Sequence, residues 1–423
     1  MSKTSDDVIV IGAGPGGAAA AYYCASAGLR VTILEKATLP REKVCGDGLT
    51  PRAVAELLRL GVDPAAEPGW RLNRGLRLNT GRHTWHLPWP EVEGMPSYGA
   101  TRRRADLDHH LARRAVAAGA HLREGVKATG PLLSPDGGRV LGVRALGADR
   151  EPLEFRSAVV VAADGVSSRF AVALGIPRRE DRPLGTAYRA YYSAPLRGRD
   201  DWMENQLELW EGRPGRSELL PGYGWIFPVG DGVNIGLGSV SSSPARQARV
   251  EHNYRDLLRR YVATLPAEWQ LEAAGPIRGA ALPMGLGRTP LYARGTLLVG
   301  DAGGMVNPFN GEGIGYALLA GRLAAETIVE AHDAGSSPRL SEAELATYPR
   351  RIAAHLGGYF TLGRYFTRLI EHPQVMAFGT RYALPLPPVR RLLHQLLSDS
   401  YQTKGGDLTD RVITSLARLV PAA

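Results

Sequence analysis

The sequence predicts an α/β protein: a doubly wound, Rossmann-like dinucleotide-binding domain, interrupted by an inserted antiparallel β-sheet domain and followed by a helical C-terminal region. Three observations predict it. A β-branched run at residues 7–11 leads into Gly12-x-Gly14-x-x-Gly17 and then an alanine-rich stretch. Two further short apolar runs, residues 157–163 and 296–300, each end beside an Asp–Gly or Gly–Asp pair. Between them, residues 186–240 alternate polar and apolar and are rich in Tyr and Trp, the pattern of an antiparallel sheet.

Residues 7–11 suit a central parallel strand buried on both faces. After the glycines, residues 18–27 read as a helix closed by Gly28. A second strand over residues 30–34 ends at Glu35, 18 positions past the third glycine. Strand, glycine loop, helix, strand and acid together make a dinucleotide site. Gly12, Gly14 and Gly17 let backbone approach a pyrophosphate, and the helix opening at Pro15 offers unpaired N–H donors. Glu35 accepts from a ribose hydroxyl and repels a 2′-phosphate, which favours FAD or NAD over NADP. Further on, residues 51–72 read as a helix and its exit, 106–118 as a helix, 121–126 as a strand, and everything beyond 336 as helical with basic residues throughout. The expected division is 1–72, 98–182 and 278–335 for the dinucleotide domain, 73–97 and 183–277 for the sheet domain, and 336–423 for the helical region.

The composition agrees. A chain of 423 residues holds two or three domains, and 44% apolar with 22% charged residues excludes wholesale disorder. The 51 glycines and 30 prolines are scattered without a period and mark tight turns. The net charge of +9 is dispersed and no nucleic-acid motif accompanies it, so no nucleic-acid partner is expected. Two cysteines exclude a disulfide framework and a cysteine-rich zinc site and fit a reducing compartment. Cys24 reads as a small buried hydrophobe. Residues 8–29 carry no charge for 22 positions, but their glycine-rich centre would break a lipid-exposed helix, so no span is expected; nor does the start resemble a secretory signal. The histidines lack metal-ligand spacing, so no metal is expected.

Four stretches carry a resemblance to the FAD-dependent geranylgeranyl reductase family, within the aromatic-hydroxylase-like flavoproteins and in particular to its actinobacterial menaquinone-reducing branch. They are the glycine motif with Glu35; residues 40–49, Pro-Arg-Glu-Lys-Val-Cys-Gly-Asp-Gly-Leu; Ala163-Asp164-Gly165 with Ser168; and Gly300-Asp301-Ala302 through Asn307-Pro308-Phe309-Asn310-Gly311-Glu312-Gly313. A fifth, Tyr223-x-Trp225-x-Phe227-Pro228, is similar to the aromatic motif of that family's prenyl pocket. The resemblance implies FAD held by Gly12, Gly14, Pro15, Gly17, Glu35, Lys36, Cys45, Gly46, Arg102, Asp164, Asp301, Pro308, Gly311, Gly313 and Ile314. It places the Cys45 loop beside the isoalloxazine, with Cys45 and Tyr223 as candidate catalytic groups. Where the family has an arginine after Ser168, this chain has Ala171, with Arg169 two positions earlier.

Tyr223, Trp225 and Phe227 share one face of a strand by their period of two, either as sheet core or, with Tyr188, as an apolar wall for a polyprenyl chain. The implied activity is saturation of a prenyl C=C bond, on one isoprene unit of a menaquinone tail or on a geranylgeranyl group. A flavin monooxygenase or halogenase of the same fold is the alternative. The electron donor is open between NAD(P)H, a ferredoxin-like carrier and a quinol. Aromatic-rich basic segments at 348–352 and 359–370 either lie flat on an anionic membrane or cover the sheet as ordinary amphipathic helices. The first of these implies a cytoplasmic protein peripheral at the inner face of the membrane.

Overall fold

The computed structural model describes residues 6–213, 215–217, 219–241, 253–334 and 340–420. Strand β1 (Asp6–Ile11), helix α1 (Pro15–Ser26) and strand β2 (Val31–Leu34) form the expected βαβ unit, and β3 (Pro152–Ala162) returns to the same sheet. Strands β4 (Leu184–Ser193), β5 (Gly222–Val229) and β6 (Gly232–Ser241) build a second sheet. The chain then comes back through β7 (Thr296–Leu298) and helix α2 (Ile314–Asp333) to a tail containing α3 (Gly358–Ile370) and α4 (Pro387–Ser398).

In the first sheet the order is β7, β3, β1, β2 and then His121–Arg123, all paired in parallel. The continuous Val/Ile runs follow from this, because Val8 to Val10 and Val159 to Val161 are covered on both faces. The chain leaves β1 to β2 on one side and meets β3 on the other. Such a reversal opens a crevice at the carboxyl ends of the strands, where Gly12, Asp164 and Asp301 all lie. Helices α1 and α2 cross over this sheet at very short range. A Cβ on Gly321 would stand 2.3 Å from the Gly16 carbonyl oxygen, so only a glycine lets the two backbones meet there.

The second sheet runs Glu272–Ala273, β4, β6, β5, Trp202–Gln206, Gly75–Asn79, Thr84–Pro88. Strand Arg278–Pro283 also hydrogen-bonds along β4, with Leu184 opposite Pro283. The expected change of domain at residue 278 therefore falls too early, since this strand completes the inserted sheet. One face of the sheet packs Ile226, Ile235 and Leu237 against Leu257 and Leu258 of helix Tyr254–Ala263. The other carries Ala187, Met203, Trp225 and Phe227 toward the crevice.

At four positions the aromatic segments of the tail follow the second reading, that of helices covering the sheet. Tyr348, Ile352, Tyr359 and Phe360 are core residues and not a membrane-lying face. The Tyr348 hydroxyl donates to the Leu298 carbonyl at 2.9 Å, and the Tyr359 and Phe360 rings pack on Phe309 and Tyr316 at 5.0 and 5.1 Å. Among the described residues no helix is long and apolar enough to cross a membrane.

Two outcomes are expected. Gly321→Val should separate α1 from α2, lowering stability by about 1–3 kcal/mol, and reduce dinucleotide retention with it, measured by thermal melting and bound-cofactor absorbance. The second concerns His394 on α4, buried against Trp89, where burial pushes the imidazole down to about 4. The unfolded chain binds this proton near 6.5, so stability present at neutral pH is lost as pH falls toward 4, by about 2 kcal/mol at pH 5. In His394→Leu that portion of the acid-side loss should be missing from denaturant titrations.

Candidate active site

The crevice opens into one cavity of about 1000 Å³ that runs from the carboxyl ends of the first sheet, past the second sheet, to the tail. Its first end is built by the glycine motif. Gly12 has φ of +97°, and a Cβ there would stand 2.5 Å from the Ala163 carbonyl oxygen. A Cβ on Gly17 would meet the Gly12 carbonyl at 2.0 Å. Gly14 differs: nothing but the Arg41 guanidinium at 3.9 Å approaches its Cβ position, so its open side belongs to the cavity. No side chain caps α1, which leaves its first N–H groups directed at that space.

Glu35 is buried at the end of β2. It accepts from the N–H groups of Ala13 at 3.0 Å and Ala37 at 3.1 Å and from Arg41 at 3.3 Å, which leaves acceptor capacity for a ribose hydroxyl. Arg41 is held in turn by Asp108 at 2.9 Å. Across the cavity Asp164 accepts from Ser168 at 2.7 Å, and burial raises its carboxyl above the usual range. Asp301 lies after β7, 3.8 Å from the Lys43 ammonium. An open glycine, an uncapped helix start, a carboxylate at ribose distance along the chain and a second carboxylate across the cleft fit an extended dinucleotide.

Two loops meet in the middle of the cavity. In the first, residues 45–48, Asp47 is fully buried and accepts from Arg104 N–H at 3.1 Å, Tyr191 hydroxyl at 2.7 Å and Asn234 Nδ2 at 2.8 Å; burial still pushes its carboxyl up to about 6. Asn234 Nδ2 also donates to the Cys45 carbonyl at 2.8 Å, and its Oδ1 accepts from Trp225 Nε1 at 3.0 Å. Burial raises the Cys45 thiol, only partly offset by the Arg104 guanidinium, so Cys45 stays protonated. In the second loop, residues 307–313, Asn307 donates to the hydroxyls of Tyr316 and Tyr359 and pins the turn, while Tyr223 donates its hydroxyl to the Asn310 carbonyl. The aromatic stripe therefore touches both loops.

Of the residues expected from sequence, the cavity collects Gly12, Gly14, Pro15, Glu35, Lys36, Cys45, Gly46, Asp164, Asp301, Pro308, Gly311, Gly313 and Ile314, with Tyr223, Trp225 and Phe227. Gly17 stands behind the glycine loop. Two lie elsewhere. Arg102 points away and stacks over Trp70 at 4.9 Å, while Arg104 reaches the cavity wall. Tyr188 falls on the opposite face of β4, stacked on Tyr254 at 5.5 Å. Arg41, Arg104, Asn234 and Glu312 were not singled out. Arg41 and Glu312 stand inside the quoted motifs, but nothing local to the sequence marks Arg104 or Asn234. Arg169 lines the cavity, whereas Ala171 is buried in the core.

Residues 5–325 match the model of a family described as FAD binding domain. The menaquinone reductase of Mycobacterium tuberculosis is 38% identical over 376 residues, covering 88% of this chain and 86% of that protein. This chain belongs to the FAD-dependent geranylgeranyl reductase family. The digeranylgeranylglycerophospholipid reductase 1 of Methanopyrus kandleri is 35% identical over 337 residues, covering 77% and 80% of the two chains. In fold, a geranylgeranyl bacteriochlorophyll reductase-like protein from Thermoplasma acidophilum superposes with a TM-score of 0.72 at 22% identity, covering 93% of this chain and 99% of that one. FAD is the family's cofactor, and the open glycine, the uncapped helix start and the paired carboxylates of the site fit it.

Purified protein should be yellow, with FAD released intact on denaturation. Glu35→Arg puts a buried cation in place of the carboxylate beside the glycine loop, so FAD affinity should fall roughly 10–100-fold, read by ultrafiltration and absorbance.

Proposed function

We propose that this chain is a reductase that saturates a C=C bond of a polyprenyl group, on one isoprene unit of a menaquinone tail or on a geranylgeranyl chain. The observation that carries the reading is the continuity of one cavity from the FAD cradle to a long apolar wall. Past the junction of the two loops, the lining is Trp225, Phe227, Leu282 and Met284 from the second sheet, then Leu369, Val375, Leu384 and Leu393 from the tail. An aromatic acid or a small polar substrate has no use for so long an apolar surface, and a flexible prenyl chain does.

When bound in its reduced form, FAD would supply the hydride for one alkene carbon, and the unactivated double bond also needs a proton at the other. Cys45 and Tyr223 stand at that junction, both protonated because burial raises thiol and phenol alike. Their place between the two loops supports a role in holding the double bond against the cofactor. The chain carries one GxGxxG motif, and FAD uses it. The reductant is then NAD(P)H bound transiently, a ferredoxin-like carrier or a quinol.

Membrane contact belongs to the same reading. Leu369, Phe378, Tyr382 and Leu386 are exposed on the segment whose Val375, Ala383 and Leu384 line the cavity. Residues 358–398 carry five arginines and one glutamate. Exposed apolar side chains on a cavity-lining segment with an excess of arginine suit an anionic leaflet from which a prenyl tail can enter.

Incubated with reductant and a menaquinone or geranylgeranyl lipid, the enzyme should add 2 Da per turnover by mass spectrometry; a gain of 16 Da would instead indicate a monooxygenase. Trp225→Ala should weaken substrate use about 10-fold or more while FAD content holds. Vesicle co-sedimentation should favour anionic lipid, weaken with salt, and drop in Phe378→Ser/Tyr382→Ser. Equal, negligible binding to anionic and neutral vesicles would remove the membrane from this reading.

A further inference from the structure

Saturation consumes a hydride and a proton, and FAD accounts only for the hydride. Three side chains at the junction of the two loops carry a transferable proton, Cys45, Tyr223 and Glu312, whereas Asp47 beside them is fully buried with both carboxyl oxygens already bonded to donors. The Tyr223 hydroxyl is committed to the Asn310 carbonyl, and burial makes both it and the Cys45 thiol weaker acids than in water.

Glu312 is different in kind. It sits on the 307–313 loop, partly open to the cavity, and its position is fixed by its main chain: its N–H donates to Asn310 Oδ1 at 2.8 Å and its carbonyl accepts from Asn307 N–H at 2.8 Å. Its carboxyl accepts from the Thr50 hydroxyl at 3.0 and 3.2 Å. The charged and titratable groups facing it come from four sides. Helix Pro51–Arg59 brings Arg52, the turn after α4 brings Asp399, α2 brings Tyr316, and β5 brings Tyr223. Arg52 is already bound to Asp399 at 2.6 Å, and Tyr316 donates to Asp399 at 2.8 Å. One guanidinium therefore stands near two carboxyl groups and is committed to the other one. An ionised Glu312 would add a second negative charge beside a cation already neutralised.

We propose that Glu312 rests in its acid form and is the catalytic acid that protonates the prenyl double bond, an inference that rests on the reductase reading. The π pair of the alkene takes the carboxyl proton at one carbon. The other carbon receives hydride from two-electron-reduced flavin. The products are a saturated C–C bond, oxidised flavin and the Glu312 carboxylate, which regains its proton from water. Burial lifts the Glu312 carboxyl to about 7, so about half of it keeps its proton at neutral pH while it remains the strongest of the three acids.

The test uses Glu312→Gln, which keeps the shape and the Thr50 contact. FAD content checks that the fold is intact. Reduced enzyme mixed with a geranylgeranyl lipid should reoxidise in a single turnover whose rate falls above about pH 7 in wild type. The variant should be about 100-fold slower or more and lose that pH dependence. Independently of substrate, infrared difference spectra of oxidised wild type below pH 7 should contain a protonated-carboxyl band that Glu312→Gln lacks. A variant with the wild-type rate and profile, or a missing band, would overturn the proposal. Wild-type enzyme that bears the band but reoxidises with no prenyl lipid would overturn the reductase reading and the acid role with it, leaving only the protonated state.

Discussion

The site depends on one buried carboxylate. Asp47 receives hydrogen bonds from helix Arg104–Ala117, from β4 and from β6, and so clamps the 45–48 loop between the two sheets. Removing a carboxylate from water is costly, and three donors converge to offset that cost. Through Asn234 the same clamp reaches the Cys45 carbonyl and the Trp225 indole, so the loop and the aromatic stripe are set by one asparagine. Asp47 itself sits at φ of +65°, a left-handed backbone that aspartate tolerates better than most residues. Loosening this clamp would free the 45–48 loop within the cavity.

Around that clamp the cavity is divided by chemistry. The end near Gly14 and Glu35 presents N–H groups and a carboxylate, the wall beyond Trp225 presents hydrocarbon, and the junction holds groups whose protons burial has tightened. Low dielectric does this with ordinary residues, because each acid there pays for charge separation it would not meet in water.

Much of this was legible in the sequence where it is local. The glycine motif, the strand before it and Glu35 are set by contacts within some thirty residues, and residues 163–165 and 300–313 mark strand ends by glycine and aspartate alone. The period of two placed Tyr223, Trp225 and Phe227 on one face, and the structure keeps them there. What failed was parity and reach. Tyr188 and Tyr191 differ by three positions and so face opposite sides, yet only the pairing of β4 with β6 decides which side is the cavity. Arg102 and Arg104 straddle a helix start that local sequence leaves uncertain by a residue or two. Tyr348 and Tyr359 look like surface aromatics beside arginines until the β7 carbonyl and the 307–313 loop supply their partners.

The far wall of the cavity is made by the tail, and the family match ends at residue 325, before that tail begins. Helices beyond residue 358 can lengthen, shorten or shift the bore that receives the lipid while Gly14, Glu35 and Asp301 stay untouched. The tail thereby sets the width and length of the cavity's apolar end, while the groups around Gly14 and Glu35 belong to another part of the chain.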